Sequence, residues 1–241
     1  MNLVRRIASL CLTTAVAVAF VATLSSSASA FSLRSPQVVF NSFALQGYLT
    51  NVVGESINTN TDQLDAQSFQ SSVSGNATFT LQIELTSSFS GSNDIGIYNA
   101  LSPPSPAPTQ YLLFPGGATA GWFVTCHFSS SGNLLVYLFD QNGTLQGLTS
   151  YSGVDRNHFG FYLDGPAGLW YSQDARNGVV RAQVLTYAGT GRNYGDWWEC
   201  FEDQPYNTQF SDFNDAVLLL QSVAPTPTNA KSWGTLKALY R

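Results

Sequence analysis

Ala77-Thr78-Phe79-Thr80-Leu81-Gln82-Ile83-Glu84-Leu85-Thr86 alternates apolar and polar side chains over ten residues. Successive side chains of a strand point to opposite faces. A period of two therefore predicts a β-strand with one face on a core and the other in water. Residues 134–139 and 216–220 are short apolar runs and predict strands covered on both faces. Val180, Ala182 and Val184 alternate with Arg181, Gln183 and Leu185, and residues 121–128 and 159–163 are aromatic-rich strand candidates. Asn142-Gly143 fits a tight hairpin turn, because both residues accept positive φ cheaply, and Asn177-Gly178 punctuates the chain in the same way. Residues 101–108 hold four prolines and read as a surface loop. Residues 62–68 fit one helical turn. Short strands with turn signals between them predict an all-β fold, an antiparallel β-sandwich or jelly roll.

Composition excludes other classes. Only 10 % of the 241 residues are charged, while 44 % are hydrophobic and 13 % aromatic. A disordered chain needs the reverse balance, and a long-helix protein needs Glu, Lys and Arg on its exposed faces. A net charge of −5 with no basic patch argues against nucleic acid as a partner.

Residues 1–30 read as a secretory signal. Arg5 and Arg6 precede an apolar stretch over 10–24, and Ala28-Ser29-Ala30 offers small residues for cleavage. No second segment is long and apolar enough to cross a bilayer, so the expected location is extracellular or periplasmic. The expected organisation is a single β-sandwich domain over 31–224, then a Pro/Thr linker and a short basic amphipathic tail over 225–241. In that tail Ser232 is a good N-cap, and Trp233, Leu236, Leu239 and Tyr240 recur at helical spacing. It reads either as a helix packed on its own domain or as an anchor that contacts a membrane or sorting machinery. Its Trp-Gly-x-Leu-Lys-x-Leu-Tyr-Arg ending is similar to terminal tails of exported proteins of some bacteria.

Removal of the signal leaves Cys126 and Cys200. An even pair in an exported chain predicts a disulfide, which would stabilise by roughly 4 kcal/mol if unstrained. The alternative is two buried free thiols acting as small hydrophobes.

Charge is distributed unevenly. Six of the fifteen acids are Asp196, Glu199, Glu202, Asp203, Asp212 and Asp215, and no Lys or Arg lies between Asn193 and Ala230. Carboxylates crowded without cations must be solvated, protonated or bridged by a metal. A loop rich in Asp and Asn just before a rigid strand suits Ca²⁺, a hard cation that takes six to eight oxygens. A solvated acidic loop whose Asp and Asn cap turns is the bland alternative.

Phe201-Glu202-Asp203, a short loop, then Asp212-Phe213-Asn214-Asp215 running into an apolar strand resembles the hallmark of the bacterial domain-of-unknown-function family 4114. Asn93-Asp94-Ile95-Gly96-Ile97-Tyr98, Phe114-Pro115-Gly116-Gly117 with Gly121-Trp122-Phe123, and Asn157-His158-Phe159 are similar to it too. The resemblance spans roughly residues 75–223. It implies an exported β-rich module, often beside adhesion or anchoring modules, whose acids serve metal binding or catalysis. Carried over, it marks Glu202, Asp203, Asp212, Asn214 and Asp215 as metal ligands. The family commonly has an Asp two residues before Asp212, where this chain has Phe210.

Catalytic signatures are scarce. There is no H-E-x-x-H, no G-x-S-x-G, no zinc spacing and no phosphate loop. His127 follows Cys126 on a strand, so the two point to opposite faces, and His158 reads as a turn or surface residue. The Asn76 and Asn142 sequons read as chance matches in a bacterial chain. Trp197 and Trp198 adjoin the acidic segment and, with Trp122 and Trp170, offer rings for sugar stacking or for the core. The sequence thus predicts a secreted, Ca²⁺-binding, non-catalytic β-sandwich for adhesion to a surface glycan or cell-envelope component. The competing class is a glycoside hydrolase using Glu202 or Asp203 with Asp212 or Asp215, and Glu199 is a further carboxylate it could recruit.

Overall fold

The alternating segment becomes strand β2 (Asn76–Ile83), with Ala77, Phe79 and Leu81 buried and Thr78, Thr80 and Gln82 partly exposed. The computed structural model describes residues 32–83, 93–100, 107–179 and 182–227. Strands are numbered in chain order. One antiparallel sheet has the order β10 (Val184–Ala188), β11 (Trp197–Phe201), β12 (Ala216–Gln221), β2, β5 (Phe123–Phe128), β6 (Asn133–Phe139) and β7 (Leu145–Ser152). The other runs β13 (Val223–Pro227), β1 (Ala66–Ser71), β8 (Phe159–Gly165), β3 (Asp94–Asn99) and β4 (Gln110–Phe114), with β9 (Gly168–Tyr171) also paired to β8. The protein is an all-β sandwich, as the alternation predicts.

Aromatic rings fill the space between the sheets. Phe79 and Phe128 come from the seven-stranded sheet, and Phe69, Phe159 and Phe161 from the other. Phe79 meets Phe161 edge-on at 5.3 Å, Phe69 meets Phe161 edge-on at 5.4 Å, and Phe128 stacks on Phe159 at 5.1 Å. These are the offset and T-shaped geometries that ring quadrupoles favour.

A second core lies on the opposite face of the seven-stranded sheet, and only at its β10–β12 end. Leu185, Tyr187, Trp198, Cys200 and Val217 point there and meet Phe40, Leu45, Leu49 and Ile57. The covering segment holds helix α1 (Phe43–Gly47), which continues as a π-helical turn over Tyr48–Val53. Buried Glu55 pins it by accepting hydrogen bonds from Thr190 N, Thr190 Oγ1, Asn193 Nδ2 and Trp198 Nε1.

This arrangement sorts the two apolar runs. In β12, Ala216, Val217, Leu218 and Leu220 are all buried, as expected for a strand covered on both faces. In β6 only Leu134 and Val136 are buried, because no described element covers the outer face of that strand. The expected helical turn at 62–68 is instead extended. Leu64 bridges both Leu33 and Thr186, and β1 begins at Ala66. Asn142-Gly143 does close the β6–β7 hairpin, with Gly143 at φ 77° and Asp140 accepting from the Asn142 and Thr144 amides. Pro225-Thr226-Pro227 is extended as read, but it forms edge strand β13 against β1, a place where proline is tolerated. The predicted signal and tail helix, and most of the proline loop, lie outside the described residues.

The expected disulfide does not form: Cys126 and Cys200 are both free and buried. Cys126 on β5 faces the core between the sheets, whereas Cys200 on β11 faces the second core. Strands β12 and β2 intervene, a lateral gap of about 14 Å, and the registers set the two six residues apart along the strand direction, about 20 Å more. A disulfide needs Cα atoms within about 7 Å.

Two measurements check this architecture. A reductant should leave Tm unchanged, and a thiol reagent should label Cys126 and Cys200 only after unfolding. Leu49→Ala, which touches only the second core, should destabilise the whole domain by about 2–5 kcal/mol in denaturant titration.

Candidate metal centre

Strand β11 ends in Phe201 and runs straight into Glu202-Asp203, while Asp212–Asp215 lead into β12. Because β11 and β12 pair antiparallel, with Phe201 opposite Ala216, their ends bring the two acidic groups together. Glu202, Asp212 and Asp215 offer carboxylate oxygens that all lie within 4.8 Å of one another.

The loop is held in part by backbone amides that donate to the acids, three of them, from Gln204, Asp212 and Phe213, to Glu202. Glu202 Oε2 accepts from the Asp212 amide at 3.0 Å, and the Asp203 amide donates to Asp215 Oδ2 at 2.8 Å. The buried side chain of Gln183 donates to the carbonyls of Glu202 and Gln204 and accepts from the Tyr206 amide. Phe213 adopts φ 52° and buries its ring completely in the second core, edge-on to Phe40 at 5.0 Å. That conformation strains a non-glycine residue, and burial of the ring offsets the strain. The turn leaves Asp212, Asn214 and Asp215 half-buried around the cluster.

Asp203 lies next to this cluster, its amide donating to Asp215. It is 2 % exposed; its Oδ2 accepts from Asn93 Nδ2 at 3.2 Å, and its carbonyl accepts from Trp170 Nε1 at 2.7 Å. Its other carboxylate oxygen, Oδ1, is buried without a hydrogen-bond partner, as is Asn93 Oδ1. An orphaned buried oxygen costs about 1–3 kcal/mol, more when charged.

Electrostatics match the geometry. Burial raises the pKa of Glu202 and of Asp212, and the neighbouring Asp203 charge adds to the rise at Asp212. Asp215 is pushed up to about 7, chiefly by burial, with Glu202, Asp203 and Asp212 adding repulsion. Burial and mutual repulsion thus oppose full ionisation of Glu202, Asp212 and Asp215 together.

The other sequence candidates are placed elsewhere. Trp198 is fully buried and bonded to Glu55, so it is not a sugar platform. Trp197 packs against the core between the sheets and donates to the Val223 carbonyl at 3.0 Å. Asp196 accepts from Gln221 Nε2, away from the cluster. Glu199 points between the sheets, wholly buried, with Oε1 accepting from Thr186 Oγ1 at 2.7 Å and Oε2 unpartnered. It is therefore not an accessible acid for a hydrolase. His127 is exposed and pairs with Asn76 on the face opposite Cys126, and His158 is exposed beside Asp155. Gln183 carries no site signal in the sequence and Trp170 is marked there only as a ring for sugar stacking or the core, yet both position the loop. Asn93 was marked only by the family resemblance. Among the described residues no helix is long and apolar enough to cross a membrane.

In comparisons with known proteins, no family model, curated protein or solved structure matches the chain.

Burial of Glu199 makes a prediction about pH. Burial raises its pKa from 4.5 to about 8. Between those values the folded chain holds a proton that the unfolded chain has lost, so stability falls as pH rises through this window and levels off above it. Glu199→Gln should flatten that part of the pH–stability curve and be the more stable chain at pH 8 or above, read by denaturant titration across pH 4–9.

Proposed function

We propose that this chain is an exported, non-catalytic bacterial β-sandwich module whose carboxylate cluster takes Ca²⁺. The observation that carries the reading is the convergence of Glu202, Asp212 and Asp215 within 4.8 Å, beside the unpartnered buried Asp203 Oδ1. The segment supplies no Lys or Arg to neutralise them. The carboxylates of Glu202, Asp212 and Asp215, with Asp203 and Asn214 as neighbouring ligand candidates, would give an oxygen-only donor set, which suits a hard cation and not zinc. Backbone carbonyls and water would complete the shell.

Calcium would supply the countercharge that these buried, mutually repelling carboxylates lack. It would also tie the end of β11 to the start of β12, making the metal a structural clamp. The likeness to domain-of-unknown-function family 4114 supports the same ligand set. With Phe210 in place of an acid, one donor fewer is available, and affinity in the range of extracellular modules, about 10⁻⁴–10⁻³ M, is expected. The biological role is adhesion or surface recognition, with a glycan or other cell-envelope component as partner.

The test is a melting curve in chelator and in Ca²⁺. At 10 mM Ca²⁺ and an affinity near 10⁻⁴ M, stabilisation is about 2.7 kcal/mol, or about 5–10 °C in Tm for a domain of this size. Asp212→Asn/Asp215→Asn should not respond. An unmoved wild-type curve refutes the calcium reading. Glycan turnover by the wild type, abolished by Glu202→Gln with folding intact, would establish the hydrolase instead.

A further inference from the structure

Among the described residues the second core covers the β10–β12 end of the outer sheet face and none covers the β5–β7 end, whose strand registers define what it presents. One row places Thr80 beside Phe123, Phe123 beside Phe139, and Phe139 beside Leu145. The next places Thr78 beside Thr125, Thr125 beside Tyr137, and Tyr137 beside Leu148. A third runs Asn76, His127, Leu135 and Ser150. In β2, β5 and β6 these residues alternate with Ala77, Phe79, Val124, Cys126, Leu134 and Val136, which face the core. In β7, Leu148 and Ser150 have the opposite parity to Tyr151, which packs on that core, and the register shift between Leu138 and Phe139 sets Leu145 opposite Phe139, so all twelve project outward.

The face has three properties. It holds no Asp, Glu, Lys or Arg. It is half apolar, with the Phe123 and Phe139 rings stacked at 5.0 Å and 15° and the leucines 145 and 148 more than half exposed. The rest is hydroxyl, amide or imidazole, so hydrogen-bond donors and acceptors lie beside the rings. A contiguous exposed apolar row on a soluble protein marks an interaction site.

Charge and area choose the occupant. A face without charge in an acidic chain gives no electrostatic hold on a charged polymer or an anionic membrane. Four strands with three outward residues each make a patch of about 19 × 20 Å, or ~400 Å². A stable protein–protein interface buries about 800 Å² per partner. An extended neutral polysaccharide fits, since its hydroxyls match Thr78, Thr125 and Ser150 and its C–H faces match the rings. We propose that the outer face of β2, β5, β6 and β7 binds neutral polysaccharide. This deepens the surface-recognition reading above and replaces Trp197 and Trp198 as the sugar contacts; it is independent of calcium.

The test is retention of the purified chain in native gels containing neutral soluble polysaccharides (hydroxyethyl cellulose, xylan, glucomannan), with alginate as the acidic control. Retention by at least one neutral polymer, none by alginate, and at least a tenfold weaker apparent affinity for Tyr137→Ala and for Leu148→Ser at unchanged Tm are expected. Both side chains are solvent-facing, so two variants guard against a folding defect in one. Asp212→Asn/Asp215→Asn should retain normally, so loss of the calcium response there leaves the binding face untouched. No retention by any neutral polymer, retention by alginate alone, or retention unaltered in both variants overturns the proposal. Concentration-dependent dimerisation in light scattering that Tyr137→Ala abolishes also overturns it, because the face would then belong to a second copy.

Discussion

A strand that is apolar on both faces needs two covers, and strands β10 to β12 meet this constraint throughout. One cover is the opposing sheet, with its cluster of phenylalanines. The other is the segment through α1 and its π-helical turn, which buries Trp198, Tyr187, Cys200 and Val217. Among the described residues the sandwich has three layers at this end and two at the β5–β7 end. Much of the rest follows from that asymmetry. Glu55 must be buried to pin the third layer, and Phe213 must turn its ring into the second core. The acidic loop closes at the edge where the layers meet.

Buried carboxylates without cations need a partner, a proton or a metal, and the three cases here are distinct. For Glu55, burial alone would raise the pKa, but donors from Thr190, Asn193 and Trp198 outweigh it and lower the pKa. Glu199 has one hydroxyl donor and meets the rest of the demand with a proton. Glu202, Asp203, Asp212 and Asp215 have some amide donors but fewer than they need. A proton on Asp215 relieves part of their repulsion, yet Asp203 Oδ1 still lacks a partner.

Legibility in the sequence followed how local each constraint is. The alternation in residues 77–83 gave the correct strand and the correct buried face, because a strand's period is written in its own residues. The runs at 134–139 and 216–220 look alike, but only the second is covered twice. The cover comes from residues about 170 positions away and leaves no mark in the run itself. The Cys126–Cys200 pairing failed for the same reason: parity put the two on opposite faces, and neither the parity relation nor the strand order is visible in their spacing. The helical turn read at 62–68 lost to long-range bridges from Leu64. At the site, the order Glu202-Asp203, loop, Asp212–Asp215 was enough to mark the acids. Gln183, Asn93 and Trp170, which hold them, are ordinary polar or aromatic residues until the fold brings them together.

The position of the cluster gives it leverage over the fold. Its loop is fixed by Gln183, just ahead of β10, by Trp170 of β9 and Asn93 beside β3 in the other sheet, and by Phe213 in the second core. These anchors belong to all three layers. A change in charge at Glu202, Asp212 or Asp215 therefore acts on both sheet ends and on the helical cover at once. Repulsion left unrelieved would spread the β11–β12 end, and anything that neutralises it would draw the layers together. Among the described residues the opposite end of the sheet is two layers thick, uncharged on its outer face, and without such coupling. Stabilisation and recognition can thus occupy separate ends of one sheet, each following from how many faces its strands must bury.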